Sequence, residues 1–379
     1  MKIKKLSRRD FLKKTGQAAL FGSAALFSES LTGCATFPKA TKEVVDQISW
    51  DSNPILPMPT NGGIYIGTNA QVMGIMRQDE IADSFRRSYG KLPTFLAPGL
   101  GRVGASDRGF PKSDVKAAQH IGAIPMIRYV VNPEMNWGYY KNPLEGYEQI
   151  NHGYKDDDIR IFGAEATKLE WPIIVCPFQQ PNDYNNIWRG WAGPGTDGPF
   201  KEAYVRIYNI WKQEGALEKV VMSVKLKVGR WQHWQYPDPL NFIPPKETVD
   251  IIGWCVNNHC QPHAYTPSKS FESILKRDYS RVVDKYRDIP QFIWELTCHE
   301  PCNQAQWYDD ALTKIEEKYF WIKAVNLDEC PDSIGTFSVD PIPNEASTIV
   351  IRKHFTSPRY IGNILPSKGL LKSEIEIEH

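Results

Sequence analysis

The 379-residue sequence has no charge of one sign to spare: 45 Lys and Arg stand against 44 Asp and Glu, a net +1. No basic patch is visible, which excludes a surface built for nucleic acid. No internal repeat and no second domain is visible either. No glycine-rich phosphate loop follows the first apolar run, where Gly67-Thr-Asn-Ala-Gln71 carries no nucleotide fingerprint, so no cofactor is expected. Asp156-Asp157-Asp158 lacks the alternating spacing and the glycine of a calcium loop. It reads as a solvated helix N-terminus, favoured by the helix dipole, and no metal is assigned. The apolar segment Ala18–Phe27 is too short to remain as a membrane span.

What is present after residue 60 is an alternation of short apolar runs with helix-like segments. The runs are Gly63–Thr68, Thr94–Leu100, Ile124–Val131, Ile173–Phe178, Val220–Leu226, Val249–Val256, Phe292–Leu296 and Trp321–Leu327. Helical spacing marks Asp79–Tyr89, Lys112–His120, Ile159–Leu169, Phe200–Glu214, Phe271–Tyr286 and Ala305–Lys318, and Ala346–Phe355 reads as a closing helix. Eight runs alternating with helices predict an α/β fold, a single-domain (β/α)8 TIM barrel. A doubly wound open sheet is the competing arrangement, disfavoured by the missing phosphate loop. The expected boundaries are a signal segment over 1–33, a tether over 34–60, the barrel over 61–362 and a polar tail over 363–379.

Pro290-Gln-Phe-Ile-Trp-Glu-Leu-Thr-Cys298 reads as a buried strand that delivers one acid, Glu295, at its C-terminal end. A carboxylate at the end of an apolar run is costly unless paired or used. Arg128 is a charge inside the third run and would either orient Glu295 or a sugar hydroxyl, or form a buried ion pair. Asn182 would bond a substrate hydroxyl or form a turn. The chain holds 12 Trp, 17 Tyr and 16 Phe. Trp137, Trp188, Trp231 and Trp234 follow strands, where indoles can stack on pyranose rings as well as fold back on the domain.

The order of these features resembles glycoside hydrolase family 26, the β-mannanase-like retaining enzymes, from about Gly63 to Ile361. Pro172–Trp188 is similar to the family's fourth-strand segment, in which an apolar strand ends in Pro-Phe, then His-Glu, then an Asn-containing loop and a Trp. Pro290–Leu296 resembles its seventh strand, and Phe337-Ser-Val-Asp340 through Arg359-Tyr360 its closing segment. The resemblance implies that Glu295 is the nucleophile and that the substrate is a β-linked polysaccharide or oligosaccharide, mannan-like or a mixed glucan. It puts the general acid on Gln180 and the preceding His on Gln179. A tyrosine that bonds the nucleophile is replaced by Asn257. An amide donates hydrogen bonds but no proton to a leaving alkoxide. Two readings follow. Either another group, such as Glu134, Asp183 or Glu300, supplies the proton, or the protein binds a glycan without cleaving it.

Ser7-Arg-Arg-Asp-Phe-Leu-Lys13 resembles the twin-arginine export signal, and Leu31-Thr-Gly-Cys34 a bacterial lipobox. These imply passage through the twin-arginine translocase and a membrane anchor of acyl chains at Cys34, with the protein held in the bacterial cell envelope. Cleavage before Cys34 leaves 38 basic and 42 acidic residues, a net −4. Cys176 and Cys255 lie in apolar runs and are expected as buried thiols. Cys260, Cys298, Cys302 and Cys330 follow strands six to eight. They would form disulfides, stay free, or join His259, His263 or His299 around zinc.

Overall fold

The computed structural model describes residues 55–69, 78–97, 110–129, 143–178, 180–183, 196–229, 237–258, 268–299, 302–328 and 344–365. Every expected apolar run becomes a strand: β1 (Ile64–Asn69), β2 (Phe95–Leu96), β3 (Ile124–Arg128), β4 (Ile173–Cys176), β5 (Val220–Lys227), β6 (Ile251–Asn258), β7 (Gln291–Cys298) and β8 (Ile322–Asp328). Each is parallel to the next, and β1 pairs with both β8 and β2, which closes an eight-stranded parallel barrel. A short ninth strand, β9 (Tyr360–Ile361), runs beside the start of β1.

The helices are α1 (Gln78–Tyr89), α2 (Lys112–His120), α3 (Pro143–Asn151), α4 (Asp156–Ala166), α5 (Asp197–Gln213), α6 (Phe271–Lys285), α7 (Gln304–Glu317) and α8 (Glu345–Phe355). Helix α3 was not expected from the periodicity. Ser270, Asn303 and Asn344 each accept from the backbone amide three residues on, in the turns that start α6, α7 and α8. Asp156, at the start of α4, is held by a bidentate pair with Arg206 at 2.7 Å, so part of that acidic run is tied down rather than simply solvated.

The strands are apolar on both faces because both faces are covered. Ile66, Ile127, Val175, Val224, Trp254 and Val325 point outward under the helices. Tyr65, Phe95, Ile124, Ile174, Val221 and Phe292 fill the interior. Leu56 is fully buried in that interior, and Tyr65 Oη donates to the Pro57 carbonyl at 2.7 Å. Ile361, Ile364 and Leu365 pack on the same cluster, and Asn363 Nδ2 donates to the Ile121 carbonyl at 3.2 Å. Packing therefore begins in the segment expected as a tether and continues past residue 362.

Strand β7 departs from simple alternation. Ile293 and Leu296 face outward, while Phe292 and Trp294 face inward. One extra residue sits between Ile293 and Leu296 relative to β8, and the register with β6 shifts at Trp254/Cys255. This is a β-bulge, which re-aims the side chain that follows it. Trp294 and Glu295 consequently both point into the barrel, and Glu295 lies within the strand rather than at its end. Gly253 makes room for the Trp294 ring: a Cβ there would sit 2.0 Å from Trp294 Cδ1. The indole Nε1 donates to Ser223 Oγ at 3.0 Å.

Two outcomes are expected. Gly253→Val forces the Trp294 ring off its site and should lower unfolding stability by about 1–3 kcal/mol, read by denaturant titration. His354 on α8 bridges Glu316 at 2.8 Å and Asp309 at 3.0 Å. Partial burial lowers its pKa, but the two carboxylates outweigh this and the net shift is upward. The bridge therefore stabilises fully below about pH 6.5, the unfolded value, and fades as pH rises through the higher folded value. His354→Gln should cost roughly 1–2 kcal/mol at pH 5.5, and the gap to the wild type should close in alkaline buffer; a gap that is constant with pH contradicts this origin.

Candidate active site

At the C-terminal end of the barrel the interior turns from apolar to charged. The inward parity of the strands continues from apolar residues to Asn69 on β1, Arg128 on β3, Lys225 on β5 and Asp328 on β8, and the bulge in β7 adds Glu295, all of them buried. Gln180 reaches the same layer from the turn after β4 and is also buried. This is the face on which barrel enzymes build their sites.

Glu295 is the hub. Asn69 Nδ2 donates to its Oε1 at 3.2 Å, and Gln180 Nε2 donates to its Oε2 at 3.1 Å. Lys225 Nζ forms a direct ion pair with Oε1, and the Arg128 guanidinium lies 3.7 Å from the same oxygen. Lys225 also stands over the Trp294 ring at 5.7 Å. Arg128 donates to Asn69 Oδ1, which orients the Asn69 amide so that its NH₂ faces the carboxylates. That same nitrogen donates to Asp328 Oδ1 at 2.8 Å. One amide thus joins two carboxylates.

Two cations and two carboxylates share this layer, and the second carboxylate is not an ordinary one. Burial first, and the Glu295 charge second, push the Asp328 carboxyl up to about 7 against the pull of Arg128, Lys225 and His299. Cys255 Sγ lies 3.0 Å from Gln180 Nε2. Burial and the Glu295 charge push that thiol up to about 12, so it is a neutral thiol at physiological pH.

Gln180 has φ 50°, in the left-handed region that non-glycine residues seldom occupy. Strain of this kind persists where surrounding contacts hold it, and here the amide is held by Glu295. Asn182 uses both ends of its amide on the backbone of Lys227, donating to the carbonyl at 2.9 Å and accepting from the N–H at 2.9 Å. That arrangement braces the turn after β4 to the end of β5. Asn257 is on the inward parity of β6, in register with Thr297 on β7. Asn257 Oδ1 and Thr297 Oγ1 have no hydrogen-bond partner among the described residues.

Of the residues singled out in the sequence, the structure brings Glu295, Gln180 and Arg128 together, with Asn257 one step further up the barrel. Gln179, Glu134, Glu300, Trp137, Trp188, Trp231, Trp234, Cys34, Cys260 and Cys330 lie outside the described residues. Asn69, Lys225 and Asp328 were missed. Their signal was the one that drew notice to Arg128: a polar or charged residue in, or directly after, an apolar run. Cys176, Cys255 and Cys298 are buried free thiols, so of the three alternatives open for Cys298 the structure shows the free one. Its side chain faces outward into the core between strand and helices. Cys302 is disulfide-bonded.

No family profile matches the sequence, and no curated protein matches it. Solved structures do. A glycoside hydrolase family 26 β-mannanase from Bacteroides ovatus superposes with a TM-score of 0.59 at 14% identity, covering 80% of this chain and 91% of that one. A Bacillus subtilis mannanase gives 0.57 at 16% identity, with 82% and 91% covered. A Cellulomonas fimi endo-β-1,4-mannanase double mutant gives 0.57 at 15% identity, with 85% and 74% covered. At these identities the likeness is one of fold: the chain is built on the same closed barrel as the family 26 β-mannanases.

Proposed function

We propose that this protein is a glycoside hydrolase acting on a β-linked polysaccharide, mannan-like or a mixed glucan, by a retaining mechanism with Glu295 as the nucleophile. The observation that carries the reading is the Glu295 carboxylate, turned into the polar end of the barrel and held there by the donors of Asn69, Gln180 and Lys225 with the Arg128 charge beside it. A nucleophile must be ionised and aimed. Lys225 and Arg128 favour the ionised form, and the amides of Asn69 and Gln180 fix its orientation. The solved structures that share the fold include mannanases, which supports the mannan class of substrate. The unpartnered oxygens of Asn257 and Thr297 suit sugar hydroxyls, which donate hydrogen bonds.

In the first step a Glu295 oxygen attacks the anomeric carbon and the glycosidic oxygen departs with a proton. In the second, water displaces Glu295 and configuration is retained overall. Lys225 must loosen its hold on Glu295 Oε1 as the carboxylate charge passes into the new ester bond. Gln180 supplies a hydrogen bond and no proton.

One observation favours a second reading, a glycan-binding protein that does not cleave. Both Glu295 oxygens are already engaged, and the position that resembles the family's acid holds an amide. The N-terminal signals support the location: the protein is exported by the twin-arginine route and anchored in the cell envelope through acyl chains on Cys34.

The full chain assayed on activated aryl β-mannosides and β-glucosides should release the aryl group with retention of configuration. Glu295→Gln should lower the rate by roughly 10⁴–10⁶-fold. A wild type inert on every sugar that still binds polysaccharide in affinity electrophoresis selects the binding reading. For the anchor, Cys34→Ala should move the protein from the membrane pellet to the soluble fraction and abolish incorporation of labelled fatty acid; unchanged pelleting and labelling rule the anchor out.

A further inference from the structure

We propose that Asp328 on β8 is the proton donor and returning base of this reaction, paired with Glu295 across the Asn69 amide. The inference rests on the hydrolase reading above and adds the residue that reading lacks. The carboxyl expected after β4 is absent, since Gln180 stands there, and among the described residues a carboxylate bridged to Glu295 comes from the neighbouring strand β8.

The geometry comes first. Asn69 Nδ2 donates to Glu295 Oε1 at 3.2 Å and to Asp328 Oδ1 at 2.8 Å. Two oxygens that share one nitrogen at these lengths stand no more than about 6 Å apart, and a retaining pair stands roughly 5–5.5 Å apart. The two carboxyls come from adjacent strands, Glu295 from within β7 and Asp328 from the end of β8, and face the same interior. Their surroundings divide the roles. Glu295 has a lysine in direct contact and an arginine at 3.7 Å, which favour its anion. Asp328 is buried beside that anion, and its carboxyl is pushed up to about 7. Neighbouring acids driven apart in this way are the arrangement by which one fold supplies both a nucleophile and a proton donor.

The amide at position 180 is compatible with this division. A carboxylate at position 180 would meet Glu295 Oε2 where the Gln180 amide now donates at 3.1 Å, and like charges at that distance cannot both ionise.

Glu295 forms a bond to the anomeric carbon as the bond to the glycosidic oxygen breaks, and the Asp328 carboxyl proton passes to that oxygen. In the return step the Asp328 carboxylate takes a proton from water, the water oxygen bonds to the anomeric carbon, and Glu295 leaves as the carboxylate.

The test is Asp328→Asn in the full chain, on an unactivated β-mannan oligosaccharide and on a dinitrophenyl β-mannoside whose leaving group needs no acid. The oligosaccharide rate should fall by about 10²–10⁴-fold. The dinitrophenyl substrate should still give its first-turnover burst, followed by slow turnover that azide accelerates with formation of the β-glycosyl azide. The wild type on the oligosaccharide should lose kcat/KM as pH rises through about 7, because the donor must be protonated. Equal loss on both substrates with no azide product overturns the assignment of Asp328, and if the variant does not fold, a wild-type profile flat through neutral pH does the same. In either case a wild type that still cleaves aryl glycosides, and loses this in Glu295→Gln, leaves the hydrolase reading standing. A wild type that cleaves neither substrate overturns both.

Discussion

One extra residue in β7 decides what the end of this barrel can do. Without the bulge, Glu295 would follow the alternation set by Phe292 and Trp294 and point outward into an apolar layer, where an unpaired carboxylate costs several kcal/mol. With it, two consecutive side chains turn inward. The first, Trp294, fills the space left by Gly253 and stands beside Lys225. The second, Glu295, enters a layer of the interior rich enough in donors to hold it. The packing of a large aromatic ring and the placing of the acid are thus one event.

The charged layer is self-consistent in a way that single pairs are not. Lys225 and Arg128 are buried cations that need anions, and Glu295 answers both. Asn69 takes the Arg128 guanidinium on its oxygen and presents its nitrogen to both carboxyls. Removing one member of such a network leaves another buried group unmatched, which costs more than the lost contact itself. The same economy accounts for Gln180. Its strained backbone is held by the bond its amide makes to Glu295, and an amide adds a donor to the layer without adding charge.

A shared fold at 14–16% identity leaves the site free to differ. The barrel delivers eight strand ends to one face, and any of them can carry a functional group. Here the fourth strand contributes an amide, the fifth a lysine, the seventh a carboxylate and the eighth a second carboxyl. The chemistry of the face depends on how those groups set one another's charge, and that depends on distances between strands far apart in sequence.

The eight strands and most helices were legible in the sequence because parallel strands covered on both faces must be apolar throughout, and the amphipathic helices around them repeat at helical spacing. Arg128 was legible as a charge inside an apolar run, and Glu295 and Gln180 through the motifs around them. Lys225, Asn69 and Asp328 carry the same kind of signal. Nothing in their local sequence, however, says that their side chains meet, since the contacts join strands up to 259 positions apart. The inward turn of Glu295 was not legible at all, because strand alternation predicts the opposite face and a bulge is fixed by the register of neighbours. Local patterns of hydrophobicity along the chain were enough to specify the barrel. Only the tertiary structure decided which charges share its interior, because that choice rests on strand register and on the cost of burying a charge without a partner.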